Sequence, residues 1–283
     1  MSLTNTLQSM HGVASVASLK ARGFGPGLLR RAVSSGLVEQ VRKGWLALPD
    51  APPDLVRAVS LRGRLGCVSA AEYRGLWVHL RSDNVHIAVP RHSGRATAHA
   101  TAGVIAHWQS ENWSADRSAL ESLPDMALQI ATCLPSEQAI ATLDSALNRE
   151  LLTMAQLIEG FESSRLDLSP LLRLLDPASQ SGLESLCRVR LARLGLPVRS
   201  QVLIQDVGRV DLLVGDRLII ETDGREWHSS TEAFDNDRDR DLRLGLLGYR
   251  ALRLTYAQVV RDWPLVELSI RAMVARGEHL WPR

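Results

Sequence analysis

The sequence predicts a multi-domain protein of mixed α/β class, α+β in its organisation, and three observations carry that expectation. Helical stretches punctuated by Gly and Pro alternate with short runs of period-2 apolar residues along the chain. At 283 residues and 45% hydrophobic content, the chain is long enough for two domains or three small ones with real cores. The net charge of +2 conceals an asymmetry, because residues 1–100 carry 13 Lys+Arg against 5 Asp+Glu and the remainder 20 against 26. A basic first third is the electrostatic footprint of a part that meets nucleic acid, and an acidic remainder suits carboxylates that wait for a metal.

The first segment spans residues 1–50. Residues 13–22 read as a short helix ending at Gly23, and Gly25-Pro26 is a turn with proline near a helix start. Residues 28–36 read as a second helix stopped by Gly36, and residues 37–41 and 44–48 as strands around Arg42-Lys43-Gly44. Pro52-Pro53 opens a mixed region, residues 51–123. It holds helices at 55–64 and 67–77, the second with Ser69 and Glu72 at capping-box spacing, then strands at 84–90 and around 104–107. Residues 124–178 read as a helical connector, with Ile140, Leu143, Ala146 and Leu147 on one helix face.

The last segment, residues 179–283, holds the most informative stretch. Val210, Leu212 and Val214, then Leu218 and Ile220, form one apolar alternation, with turn chemistry at Gly215-Asp216. If Val214 pairs with Leu218, Asp211 lies opposite Glu221 and Asp223 follows on the same face. Converging acids repel one another and are costly to bury unpaired. A hard divalent cation relieves that conflict, because oxygen ligands are what Mg²⁺ prefers.

The flanking motifs are the run 221–228, the charged helix start 234–241 and the helix end, turn and strand around Gly248-Tyr249. Together with Asp211 and Glu221 they make residues 181–260 resemble the PD-(D/E)XK nuclease superfamily, and within it the bacterial family related to very-short-patch-repair endonucleases. That resemblance implies a restriction-endonuclease-like mixed sheet between helices, and Mg²⁺- or Mn²⁺-dependent phosphodiester hydrolysis. It implies Asp211 and Glu221 as metal-binding acids and Glu184 as the acid on the first core helix, with Gln201 opening the strand that leads to Asp211. The lysine of the superfamily pattern is replaced here by Asp223, a further carboxylate for the metal and the catalytic set. The only lysines are Lys20 and Lys43. The repair-endonuclease relatives use a histidine nearby, which makes His228 the substitute catalytic group. Arg238 and Arg240 could bind the phosphate but cannot act as bases, because guanidinium stays protonated.

Helix, Gly-containing turn, helix and basic hairpin over residues 1–50 resemble a winged helix-turn-helix, similar to the N-terminal domain of the abortive-infection type IV antitoxins. In such a module the second helix enters the major groove and the wing touches backbone. Arg30 and Arg31 are then groove or phosphate contacts, and Arg42 and Lys43 phosphate contacts. The combined expectation is a DNA endonuclease with a DNA-binding winged helix. The rival is a non-catalytic, antitoxin-like DNA-binding regulator with a degenerate nuclease fold, and RNA stays open as a substrate.

Cys67, Cys133 and Cys187 are widely spaced and include no Cys-x-x-Cys pair, so neither a zinc site nor a disulfide framework is expected. His79, His86, His92, His99 and His107 fit no compact ligand spacing and read as scattered strand or surface residues. No run approaches the roughly 20 apolar residues of a membrane span. The N-terminus shows neither the basic region nor the apolar core of an export signal, so a reduced cytoplasm is the expected location.

Overall fold

The structure, a computed structural model, describes residues 1–90, 102–109, 118–164, 166–223 and 231–282, with the side chains of Gln109 and of residues 231–237 outside the description. The chain is of mixed helix and strand content with several small sheets. It forms two compact units, residues 1–133 with 159–165 and residues 134–158 with 166–283. The first two segments read from the sequence fall in the first unit and the last in the second, and the helical connector is divided between them.

The first unit opens with α1 (Leu3–Gln8), β1 (Val13–Ser15), α2 (Val16–Ala21), α3 (Pro26–Ser34), β2 (Glu39–Arg42) and β3 (Trp45–Ala47). The three strands form an antiparallel sheet in the order β1-β3-β2. Leu7, Leu19, Leu29, Val38 and Leu46 bury a common core beneath it. The helix expected from residue 13 starts three residues later. Val13 pairs with Ala47, and the Ser15 hydroxyl caps α2 by accepting the Ser18 backbone N–H at 3.0 Å. Pairing with a distant strand overrides the local helical reading. Helix α3 follows its signals, with proline in its first turn and Gly36 beyond its end at φ +74°.

The unit continues with α4 (Pro53–Ser60), β4 (Arg64–Leu65), α5 (Cys67–Tyr73), β5 (Val85–Pro90), β6 (Val104–Gln109) and α6 (Leu123–Cys133). Strand β5 is central, antiparallel to β4 and parallel to β6. The capping role expected of Ser69 is corrected. Helix α5 starts at Cys67 with Gly66 as its N-cap, and the Ser69 hydroxyl instead accepts the His86 backbone N–H at 2.9 Å. Close approach favours glycine at 66, since a Cβ there would lie 2.6 Å from the Gln129 side-chain oxygen and 3.1 Å from the Ala88 backbone nitrogen.

The second unit holds α7 (Ser136–Asn148), α9 (Ser169–Leu172), α10 (Gly182–Arg193), β7 (Val198–Ile204), β8 (Gly208–Val214), β9 (Leu218–Asp223), α11 (Thr231–Leu246), β10 (Arg250–Thr255), α12 (Tyr256–Val260) and α13 (Trp263–Ala275). Helix α8 (Met154–Ser163) has residues in both units. The sheet order is β10-β9-β8-β7, antiparallel except for the parallel pair β9 and β10. Val214 pairs with Leu218, the register the alternation implies. Residues 212–214 and 218–220 are buried without interruption, so these strands are covered on both faces and not on one alone.

Helix α10 is buried almost all round, polar residues included. Arg188 bonds Asp144 of α7 at 2.7 Å, and the second Asp144 oxygen accepts the Asp176 backbone N–H at 2.8 Å. Arg190 grips Glu137 of α7 with two bonds, of 2.6 and 3.0 Å. These ion pairs add to the buried apolar residues Leu183, Leu186, Val189 and Leu191 of α10, and they seat the helix that carries Glu184.

Candidate functional sites

The acids named from the sequence gather at one end of the β8–β9 pair. Asp211 is the residue of β8 next to the Leu212–Ile220 pair, and Glu221 is its counterpart on β9. The Asp211 carboxylate accepts the Thr222 backbone N–H at 2.9 Å and its hydroxyl at 3.3 Å. Glu221 is half-buried and held by both arms of the Arg240 guanidinium, at 2.9 and 3.2 Å. Arg240, on α11, also donates to the Arg209 carbonyl. Asp223 is exposed at the end of β9, opposite Thr255 of β10.

Glu184 sits in the first turn of α10 and is 4% exposed. One of its oxygens accepts Gln201 Nε2 at 2.7 Å and the Gln180 backbone N–H at 3.0 Å. Gln201 lies where the β7–β8 pairing skips a residue, with its backbone at φ +53°. Burial, and then the charge of Asp211, push the Glu184 carboxyl up to about 7. Glu221 is also raised, first by burial and then by Asp211, with Arg240 opposing. Burial is therefore the chief cause of both shifts, and at Glu221 the Arg240 guanidinium offsets more than the Asp211 charge adds. The acids do not converge to metal-ligand spacing, however. Among the described residues they form no set of three or more ligand atoms all within 4.8 Å of one another.

The remaining sequence candidates are spread more widely. Arg238 is largely exposed and bridges to Asp241 at 3.7 Å. Arg30 and Arg31 are exposed on α3, and Lys43 is exposed at the β2–β3 turn. Arg42 is engaged internally, since its Nε donates to the Val59 carbonyl at 2.8 Å and its guanidinium covers the Trp45 ring at 5.4 Å. His228, like His92 and His99, lies outside the described residues.

The structure corrects the expectation that the cysteines and histidines are unrelated. Cys67, His86, His107 and Cys133 bring one ligand atom each to within 4.8 Å of one another, in the first unit, and this group could hold a metal ion. His86 Nδ1 lies 3.0 Å from His107 Nε2 and 3.9 Å from the Cys133 sulfur. The two imidazoles are stacked, with centroids 5.2 Å apart. The Cys133 thiol is pushed down, chiefly by its bond with Cys67 and then by the two imidazoles. Cys67, its partner in that bond and largely buried, is pushed up. Soft sulfur and imidazole donors are not the oxygen set that Mg²⁺ takes.

Short-range sequence spacing holds no signal for this site. Its ligands come from the start of α5, from β5, from β6 and from the end of α6, with the histidines 21 positions apart and His86 and Cys133 47 positions apart. Comparison of the chain with protein-family models and with curated proteins found no match.

Proposed function

We propose that the protein is a metal-dependent DNA endonuclease, whose second unit hydrolyses phosphodiester bonds and whose first unit delivers it to DNA through a winged helix. The observation that carries this reading is the acid end of the β8–β9 pair. Asp211, Glu221 and Glu184 lie on a helix–strand–strand–strand–helix–strand run from α10 to β10, and Glu184 and Glu221 are raised chiefly by burial and further by the charge of Asp211. An oxygen-only donor set of partly buried carboxylates fits a hard divalent cation. Asp211 and Glu221 would hold it, with Asp223 and Glu184 completing the shell. When bound, Mg²⁺ or Mn²⁺ lowers the pKa of a water and screens the phosphate.

This chain's own groups divide the remaining work. Thr222 fixes the Asp211 carboxylate through two donors, so that its orientation is set in advance. Gln201 and the Gln180 N–H do the same for Glu184. Arg240 holds Glu221 and, with Arg238, offers guanidinium to an entering phosphate. His228 is the residue proposed to move the proton. Exposed Arg30, Arg31 and Lys43 supply sequence-independent phosphate contacts, so binding should weaken steeply with salt. Three free thiols fit a reducing compartment, which makes the cytoplasm the proposed location.

The test is cleavage of supercoiled, linear and single-stranded DNA, and of RNA, with Mg²⁺ or Mn²⁺, beside Glu221→Ala. Cation-dependent cutting of DNA that the variant loses supports the proposal. Equal cutting by the variant refutes the site. One observation favours a second reading, a DNA-binding regulator of antitoxin type without catalysis: the Glu221 carboxylate is already engaged by both arms of Arg240. That reading expects salt-sensitive DNA binding lost in Arg30→Ala plus Arg31→Ala, kept in Glu221→Ala, and no cutting by either.

A further inference from the structure

We propose that Cys67, His86, His107 and Cys133 form a closed tetrahedral Zn²⁺ site that pins the β5–β6 sheet to α5 and α6 in the first unit. The proposal is independent of the nuclease reading, because none of the four residues belongs to the acid site.

The donor set selects the metal. Two thiolates with two imidazoles in a tetrahedral arrangement are the ligands of structural zinc. With Zn–N of about 2.0–2.1 Å and Zn–S of about 2.3 Å, tetrahedral geometry sets N···N edges of about 3.3 Å and N···S edges of about 3.6 Å. The His86–His107 separation of 3.0 Å and the His86–Cys133 separation of 3.9 Å bracket those values. All four ligand atoms lie within 4.8 Å of one another, so small side-chain adjustments complete the shell.

The surroundings are built for ligation. The far nitrogen of the His86 ring, Nε2, lies 3.2 Å from Ser82 Oγ, and that oxygen already accepts the Asn84 backbone N–H at 3.1 Å. A hydroxyl partner on Nε2 fixes the tautomer that turns a bare Nδ1 toward the ion. The His86 backbone is fixed at both ends, its N–H to Ser69 at 2.9 Å and its carbonyl to the Gly66 N–H at 2.9 Å. Cys67 is held in turn by its own N–H, 2.8 Å from Gln129 Oε1 of α6, and its backbone sits at φ +46°, a conformation that L residues rarely adopt. Cys67 and His86 are buried, His107 is half-buried and Cys133 is exposed, so the ion enters from the Cys133 side. Four protein ligands leave no coordination position for a substrate, which assigns the site a structural role and not a catalytic one. Two thiolates and two neutral imidazoles leave the Zn²⁺ complex electrically neutral, as suits its buried ligands.

The full chain, produced without an affinity tag and passed over chelating resin, is assayed for metal by mass spectrometry and reloaded with Co²⁺. The expected result is one zinc per chain, and a cobalt spectrum showing tetrahedral ligand-field bands together with thiolate charge transfer. Cys133→Ser, at an exposed position that tolerates change, should weaken the affinity by more than about 100-fold and reduce the thiolate band. His107→Gln should weaken it comparably while leaving that band present at saturating cobalt. Folded protein without stoichiometric metal, metal content indifferent to both variants, or a Cys67–Cys133 disulfide in protein purified anaerobically would each overturn the proposal.

Discussion

The acid cluster and the thiol–imidazole cluster of this protein are opposites in construction. The acid cluster draws Asp211 and Glu221 from adjacent strands, so a short local motif announces it, yet Arg240 already bonds one carboxylate and the oxygens stay apart. The thiol–imidazole cluster draws its ligands from four separate elements, so no motif announces it, yet its atoms are gathered. The difference teaches that a motif reports where side chains could meet, whereas ligand geometry is a property of packing between elements. On the readings proposed for them, the two clusters would put a cation to different uses. A structural site is closed by its protein ligands, while a catalytic site keeps one position open.

The largest expected effect bears on the acid cluster. Asp211→Ala should slow cation-dependent cleavage on the order of 10³-fold, corresponding to several kcal/mol of lost charge stabilisation. Initial rates on plasmid DNA measure it, and an unchanged rate removes Asp211 from the site. Next comes the seat of that cluster. Asp144→Ala leaves Arg188 buried beside the more distant Asp176 alone, at 3.6 Å, and should cost about 3–5 kcal/mol of unfolding free energy in urea. A loss below about 1 kcal/mol would mean that the ion pair does not seat α10.

Glu184 gives a pH signature. Its carboxyl is raised from 4.5 to about 7, so the native state holds a proton that the unfolded chain has released. Its contribution to stability is therefore full below about pH 4.5 and falls away as pH rises through 7. Glu184→Gln should erase that slope, gaining up to about 3 kcal/mol at pH 8 without added cation. Parallel stability–pH curves for the two proteins would contradict the shift. The smallest effect sharpens the other side of the comparison. Ser82→Ala should weaken zinc binding about 10–100-fold and leave stoichiometry intact at saturation. Competition with a chromophoric chelator reads it, and equal affinity would show that Ser82 does not set the His86 tautomer.

Sequence reasoning was most successful where the determining interactions are local. The β8–β9 register followed from alternation around a glycine turn, and α3 from a proline start and a glycine stop. It failed where a distant partner decides. Val13 was read as helical, but β3 claims it for a strand. Ser69 has cap spacing, but its hydroxyl is taken by the His86 N–H, and α1 lay unread before both. Burial of the β8 and β9 strands is legible in their apolar residues, and the structure covers both faces. Within the acid site, residue types and strand positions were legible. The occupation of Glu221 by Arg240 was not, because it depends on how α11 returns across the sheet edge.

On the proposed metal site, Arg240 and an incoming divalent cation would be rivals for the Glu221 carboxylate, and rivalry of this kind obeys a reciprocity rule. Any anion that draws the guanidinium away strengthens cation binding by the same factor by which the cation strengthens binding of that anion. A phosphodiester is such an anion. Cation and nucleic acid would then load as mutual facilitators, and the site would stay self-neutralised in the absence of a strand. A cation titration whose midpoint falls when a non-cleavable oligonucleotide is present would register that cooperation.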